Sequence, residues 1–334
     1  MAERVHGDEL DVIGIGNALV DVLSQATDDA LVKLGLTKGA MHLIDEAQAA
    51  SLYDAMGQGI EISGGSAANT IVGVASLGGR AQYIGKVRDD QLGQVFRHDL
   101  RSTGVRYDVP LAPGGPPTGR CLIMVTPDAQ RTLNTFLGAS VHLGPEDVDP
   151  TLIARGRILY LEGYLFDPPR AQQAFREAAR QAHAAGRKVA LTLSDPFCVD
   201  RHRAAFLDLV EHHVDIVLAN EAEIRSLYQV TDFDAALQRV RGHCEIAALT
   251  RSEHGSVIVA GPEVHVIPAH PVATLVDTTG AGDLYAAGVL FGLSRGRDLA
   301  TCGKLGSIAA AEVISHVGAR PMVSLATLAA DLLT

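Results

Sequence analysis

Two hydrophobic rhythms take turns along this chain, and no other feature narrows its fold so much. Short apolar runs, "AQYIGKV" (81–87), "VALTLS" (189–194), "DIVLAN" (215–220) and "EIAALTRS" (245–252), read as strands. Between and after them, "SAANTIVGVASLGG" (66–79), "PPRAQQAFREAARQAHAAGRK" (168–188), "EAEIRSLY" (221–228), "DLYAAGVLFGLSRG" (283–296) and "LATCGKLGSIAAAEVISHVG" (299–318) carry helix spacing. Several of these open near proline or close on glycine, as helices do. Apolar strands separated by helices favour an α/β fold, a doubly wound and mainly parallel sheet with helices on both faces. Ligands of such sheets gather at the carboxyl ends of the strands. "LDVIGIGNALVDVL" (10–23) reads as the buried first strand.

Two stretches, 22–48 and 103–137, break the alternation. The second holds the turn-rich "LAPGGPPTGR", the alternating "CLIMVT" and the polar "PDAQRTLNTF". Short antiparallel strands outside the main sheet, forming a small β lid, are expected there.

Composition removes several classes of function. With 47% hydrophobic and 20% charged residues the chain is globular. "MAERVHGDEL" has no apolar core of a secretory signal, and no stretch reaches the ~18 apolar residues of a membrane span, so a cytoplasmic protein without a membrane partner is expected. Cys121, Cys198, Cys244 and Cys302 are scattered, with no spacing for a disulfide framework or a zinc site, and read as buried thiols. A formal charge of -11 argues against nucleic acid as a partner. It also means that an anionic substrate must be met by local devices such as backbone N–H groups, a metal or a few placed arginines.

"DTTGAGD" (277–283) supplies one such device. Gly280, Ala281 and Gly282 let the backbone approach an anion, and the apolar run behind them places them at a helix N-terminus, where free N–H groups and the dipole favour negative charge. Asp283 begins that helix and could accept a hydroxyl proton. Taken alone, the stretch could equally be a tight turn before a capped helix.

A second stretch, "SGGSAANTIVGVASLGGRAQYIGKVRDDQLG" (63–93), joins a Gly-Gly turn and Asn69 to a helix and a strand. Together with "DTTGAGDLYAAG" it resembles the two signature regions of the PfkB family, the ribokinase-like carbohydrate and nucleoside kinases, and the resemblance covers nearly the whole chain. It implies one α/β domain over 1–334 with a small β lid, and transfer of the ATP γ-phosphate to a primary hydroxyl. By the family pattern Asp283 is the base, and the amides of Gly280, Ala281 and Gly282 hold the transferring group. Such a transition state spreads charge over the phosphoryl oxygens, so N–H donors and Mg²⁺ supply most of the stabilisation.

The same resemblance assigns further residues. "NEAE" (220–223) implies Asn220 and Glu223 in holding phosphate-bound Mg²⁺ through water. "ALTRSEHGSVIV" (248–259) is similar to the nucleotide strand-turn-strand Thr-x-Gly-x-x-Gly, with Thr250 and Gly255 present and Ser252 in place of the first glycine. Arg131 stands where many relatives carry an arginine that approaches the phosphates. The carboxylate matching Asp277 helps some relatives bind a monovalent cation, so K⁺ is permitted without being required. A lone His316 reads as structural.

On the acceptor side "GNALVD" (16–21) carries Asn17 and Asp21, and the family's aspartate here takes two sugar hydroxyls. Gly64, Gly65, Ser66 and Asn69 are implied on the same sugar. A dinucleotide fingerprint fails because Leu19 stands where the third glycine belongs, and no GxxxxGK[ST] loop is present. "YLEGYLFDPP" (160–169) and "SDPFCVDRHR" (194–203) are similar to the adenosine kinase-like branch, which implies a nucleoside acceptor phosphorylated on its 5′-hydroxyl. Phe136, Leu137, Tyr164 and Phe166 could line a base pocket. A ribokinase or fructokinase, a guanosine or inosine kinase, and a non-catalytic nucleoside-binding regulator stay open, as does monomer against homodimer.

Overall fold

The computed structural model of the protein describes residues 9–128 and 130–333. Numbered along the chain, its strands are β1 (Leu10–Ile15), β2 (Leu19–Gln25), β3 (Met41–Leu43), β4 (Gly59–Gly64), β5 (Ala81–Ile84), β6 (Gly119–Val125) and β7 (Arg131–Phe136). There follow β8 (Gly156–Glu162), β9 (Lys188–Thr192), β10 (Ile216–Asn220), β11 (Ile246–Thr250), β12 (Ser256–Ala260) and β13 (Glu263–Ile267). Eight of them form one sheet in the order β13-β12-β11-β10-β9-β8-β1-β5. It is parallel from β5 to β11 and ends in the antiparallel pairs β11–β12 and β12–β13.

Alternation along these strands feeds two cores. Val12, Ile158, Leu218 and Ile258 face one way, onto Ile71, Leu284, Leu290 and Leu305. Their neighbours Ile13, Leu159, Val217 and Val257 face the other way, onto Phe175, Phe206, Ile224 and Leu227. A sheet buried on both faces needs strands with little polar character, which is how these runs read in the sequence. The expected helices form at Ser66–Ser76, Pro169–Ala184, Glu221–Tyr228, Ala281–Ser294 and Leu299–Val313. The last stops short of Gly318: the chain leaves the helix at Ile314, whose carbonyl accepts from the N–H of Val276 at 2.9 Å.

A second, smaller sheet has the order β3-β7-β6-β2-β4. It is mixed rather than antiparallel, since β2–β6 and β3–β7 run parallel while β2–β4 and β6–β7 do not. It also draws on β4, which lies outside the two stretches that suggested it. The run 10–23 is not one strand: it breaks at residues 16–18, leaving β1 in the large sheet and β2 in the small one. Val20, Val22, Leu122 and Met124 press one face of the small sheet onto Leu31, Leu52, Phe96 and Leu100. Its other face carries Asp21.

All four cysteines are free, with Cys121, Cys198 and Cys302 buried. Among the described residues no helix is long and apolar enough to cross a membrane.

Candidate active site

Two helix N-termini meet beneath the small sheet. The helix Ala281–Ser294 starts from Gly280 in the left-handed conformation (φ 79°), and a Cβ there would stand 2.8 Å from both Cα and the carbonyl oxygen of Ala319, so the position demands glycine. A Cβ on Gly282 would meet nothing within 4 Å, which leaves that turn open to the cleft. The N–H groups of Gly280, Gly282 and Asp283 have no hydrogen-bond partner among the described residues. Ala281 differs from its companions, because its N–H donates to the Thr278 carbonyl at 3.2 Å. The open helix tip is a place for an anion.

Asp283 crosses to the second helix. Its Oδ1 accepts from Ser66 Oγ at 2.6 Å and its Oδ2 from Asn69 Nδ2 at 3.1 Å. Burial holds its carboxyl above the usual carboxylate range in spite of these two donors. Ser66 opens the helix Ser66–Ser76, whose N-cap Gly65 has φ 99°. The structure therefore brings Ser66, Asn69 and Asp283 together.

Asp21 reaches the same cleft from β2, with Gly64 of β4 beside it: a Cβ on Gly64 would lie 2.5 Å from the Asp21 carboxyl. Burial pushes the Asp21 carboxyl up to about 6, with the Asp283 charge adding to the rise and the Arg320 and Arg131 charges opposing it. Register defines what surrounds Asp21. It pairs with Ile62 on one side and Cys121 on the other, and Leu23 pairs with Ile60 and Ile123. Leu133 on β7 lies opposite Ile123. The face that bears Asp21 is thus apolar, and part of it is open, with Ile60 65% and Ile62 37% exposed.

Asn17 is placed otherwise than its motif suggested. It is 2% exposed, its Nδ2 donates to Glu162 Oε1 at 2.9 Å, and its Oδ1 accepts from Ser140 Oγ at 2.8 Å. Both ends of the amide are committed inside the protein. Glu162, at the carboxyl end of β8, went unnoticed in the sequence. It also accepts from the N–H groups of Asn17 and Ala67, at 3.1 and 2.7 Å, so one buried carboxylate joins the β1–β2 corner to the first turn of the helix Ser66–Ser76. Burial pushes its carboxyl up to about 7, against those hydrogen bonds. The available signal was a lone acid closing an apolar run at a strand's carboxyl end.

Arg131, on β7, forms an ion pair with Asp277 at 2.7 Å, and its Nη1 donates to Thr279 Oγ1 at 3.2 Å. Both charged side chains are 9% exposed. Asp277 Oδ1 accepts from the N–H and hydroxyl of Thr279, and Oδ2 from the N–H of Gly318 as well as facing Arg131. Both oxygens are taken, one by a cation of the protein itself. The Asp277 side chain does not fit a monovalent-cation ligand in this arrangement.

Asn220 and Thr250 are register partners at the ends of β10 and β11. Asn220 and Glu223 cap each other's backbone, and Asn220 Nδ2 donates to Glu223 Oε1 at 2.6 Å. Burial pushes the Glu223 carboxyl up to about 7, and the like charges of Asp195 and Asp283 raise it further. Tyr164 sits among the same carboxylates, its phenol raised by burial first and then by Asp195, Asp283, Glu223 and Glu162. Phe166 is core instead of pocket, fully buried with its ring centroid 4.9 Å from that of Phe206. Phe136 is nearly buried too, while Leu137 is half-buried. His316 Nε2 lies 3.1 Å from Glu312 Oε1, which also accepts from the N–H of Met322, a structural role.

Beyond Thr250 the loop turns at Ser252 (φ 51°) and Gly255 (φ 78°). Ser252, the residue that departs from the glycine pattern, holds the left-handed conformation that glycine adopts without strain. Ser252→Gly is expected to stabilise the fold by up to about 1 kcal/mol, read from the midpoint of denaturant unfolding. A lower midpoint would show that the serine is unstrained there.

The comparisons with known proteins agree with this geometry. The profile of the pfkB family carbohydrate kinases matches residues 29–325. The structure is similar to that of adenosine kinase from Sinorhizobium meliloti, at 54% identity and a TM-score of 0.90, over 97% of this chain and 99% of that one. A probable sugar kinase protein from Rhizobium etli CFN 42 gives 51% identity and a TM-score of 0.91 over the same shares. Adenosine kinase from Saccharomyces cerevisiae is 28% identical, over 92% of this chain and 95% of its own length. A fructokinase from Klebsiella pneumoniae is also 28% identical, over 77% and 85%. The chain belongs to the pfkB family of carbohydrate kinases, phosphotransferases that act on an alcohol group.

Proposed function

We propose that the protein transfers the γ-phosphoryl group of ATP to the 5′-hydroxyl of adenosine, giving AMP and ADP. The observation that carries this is the position of Asp21, a carboxylate set in an apolar face of Leu23, Ile62, Cys121 and Ile123 and near enough to Asp283 for the two charges to interact. A carboxylate takes the cis-diol of a ribose, and the apolar face covers a flat base. A free sugar would leave that face bare. The kinship to adenosine kinases from Sinorhizobium meliloti and Saccharomyces cerevisiae supports the same acceptor.

On this reading the N–H groups of Gly280, Gly282 and Asp283 receive the phosphoryl oxygens, and Asp283 aligns the attacking hydroxyl and takes its proton late in the transfer. Asn69 and Ser66 hold the Asp283 carboxylate toward that hydroxyl. Arg131, carried by the lid, already reaches Thr279 at the approach to the helix tip and adds positive charge beside the group in flight. Thr250, Ser252 and Gly255 form the loop for the nucleotide. Mg²⁺ on the phosphates would neutralise charge on the transferring group, and the residues present fit it: burial and the like charges of Asp195 and Asp283 raise the affinity of Glu223 for its proton, and a cation nearby would relieve that repulsion. No cluster of three potential ligands gathers among the described residues, so Asn220 and Glu223 would reach the ion through water.

Release of ADP with adenosine, inosine, guanosine, ribose and fructose as acceptors tests the proposal. Adenosine should give the highest kcat/KM, by at least about tenfold, the scale of one or two kcal/mol of base contact. Ribose or fructose ahead of adenosine would replace it with a sugar kinase.

A further inference from the structure

Arg320 belongs to none of the motifs above. It follows the loop that leaves the helix Leu299–Val313 and returns under the cleft, where its side chain is 14% exposed. Nε donates to Asn69 Oδ1 at 3.3 Å and Nη1 meets Asp99 Oδ2 at 3.2 Å. Nη2 is buried without a hydrogen-bond partner among the described residues. Asp99, on the helix Gln91–Ser102, accepts in turn from the N–H of Ser63 at 2.8 Å and from the Ser63 hydroxyl. Ser63 lies in β4, two residues before the chain leaves the lid for the helix Ser66–Ser76.

An amide side chain is oriented only when one end meets a donor and the other an acceptor. Asn69 has both, with Arg320 giving to its oxygen and Asp283 taking from its nitrogen. Without the guanidinium only the bond to Asp283 orients the amide, and one of the two side-chain donors to that carboxylate is held less firmly. Arg320 also lies near enough to Asp21 for its charge to favour the carboxylate. The charged and titratable groups around Asp21 are Arg320 from the C-terminal loop, Arg131 from β7, Asp283 from the helix Ala281–Ser294 and the Cys121 thiol from β6, and Arg320 is the strongest of those that favour the carboxylate. A buried guanidinium with an unused donor is costly if folding is its only purpose.

We infer that Arg320 is a positioning residue for the acceptor side of the reaction: it sets the Asn69 amide that steadies Asp283, ties that amide through Asp99 to Ser63 at the root of the lid, and puts positive charge beside Asp21. The inference rests on the kinase reading above. It assigns to one side chain the alignment of the proton acceptor, the seating of the lid and the ionisation of the diol ligand.

Arg320→Met and Arg320→Lys, assayed with adenosine and ATP between pH 5 and 8, test it. Arg320→Met should lower kcat/KM for adenosine by about 30- to 100-fold, the scale of a reacting group displaced by up to an ångström, with the KM for ATP within about twofold of wild type. Its acid limb in kcat/KM for adenosine should move to higher pH, because Asp21 loses its main favourable neighbour. Arg320→Lys should return the acid limb to its wild-type position and leave kcat reduced, since one ammonium cannot serve Asn69 and Asp99 in the geometry of the fork. An unmoved acid limb in Arg320→Met, or equal losses toward ATP and adenosine, would overturn the inference. If Arg320→Met does not fold by circular dichroism, Arg320→Lys decides alone, and a wild-type kcat there overturns it. Wild-type turnover separates the two levels: an active wild type with indifferent variants sinks the role of Arg320 only, whereas a wild type that phosphorylates no acceptor sinks both.

Discussion

Asp283→Asn is expected to lower kcat by about 10²- to 10⁴-fold while adenosine affinity changes little. The amide keeps the size of the carboxylate and its place against Ser66, but it cannot take a proton and carries no charge to orient the attacking hydroxyl. It also presents an N–H₂ group toward one of two partners that now donate, Ser66 Oγ at 2.6 Å and Asn69 Nδ2 at 3.1 Å, so the local network must rearrange. Steady-state kinetics with a calorimetric Kd for adenosine separate the two effects. A kcat within a few-fold of wild type would remove Asp283 from the proton transfer. The wild-type rate should fall on the acid side at a pH above the ordinary carboxylate range, because burial raises the affinity of Asp283 for its proton and the reaction needs the ionised form.

Asp21→Ala acts on binding instead. Losing a buried, charge-assisted contact to the ribose hydroxyls should weaken adenosine by about 2 to 5 kcal/mol, with kcat at saturation much less affected. The wild-type carboxyl is pushed up to about 6 by burial, so adenosine affinity should fall as pH drops through that value and the carboxylate protonates. Asp21→Ala should lose this dependence along with the affinity. The sign for stability is opposite to that of a salt-bridged acid. A carboxyl whose folded pKa is raised makes the fold less stable as pH rises from the unfolded value toward the folded one. Asp21→Ala should therefore be at least as stable as wild type at neutral pH, and a markedly lower unfolding midpoint together with unchanged adenosine affinity would make Asp21 a structural residue.

What the sequence displayed and what it hid follow from the range over which each signal acts. The helices Ala281–Ser294 and Glu221–Tyr228 were legible because their starts and apolar spacing are written within a dozen neighbouring residues. The break at residues 16–18 was not, since Leu10–Ile15 and Leu19–Gln25 have the same β-rich composition and differ only in which sheet receives them. Asn17 was placed on the acceptor side because its inward partner is distant in sequence. Nothing near it in sequence announces Glu162, which lies 145 positions away and claims its amide. Arg320 and Asp99 were invisible as site residues because each is a single charge whose meaning comes from the other and from Asn69. Ser252 shows the converse: the residue that stands in place of the pattern's glycine has a positive φ, which glycine takes without strain.

The bare Cα of Gly280 against Ala319 ties together two places in the gene some forty codons apart. Position 280 cannot drift alone. Any descendant that acquires a side chain at 280 must already have drawn back the 318–320 stretch, and with it Arg320, so an exchange at 280 should arrive together with a change in that stretch or not at all.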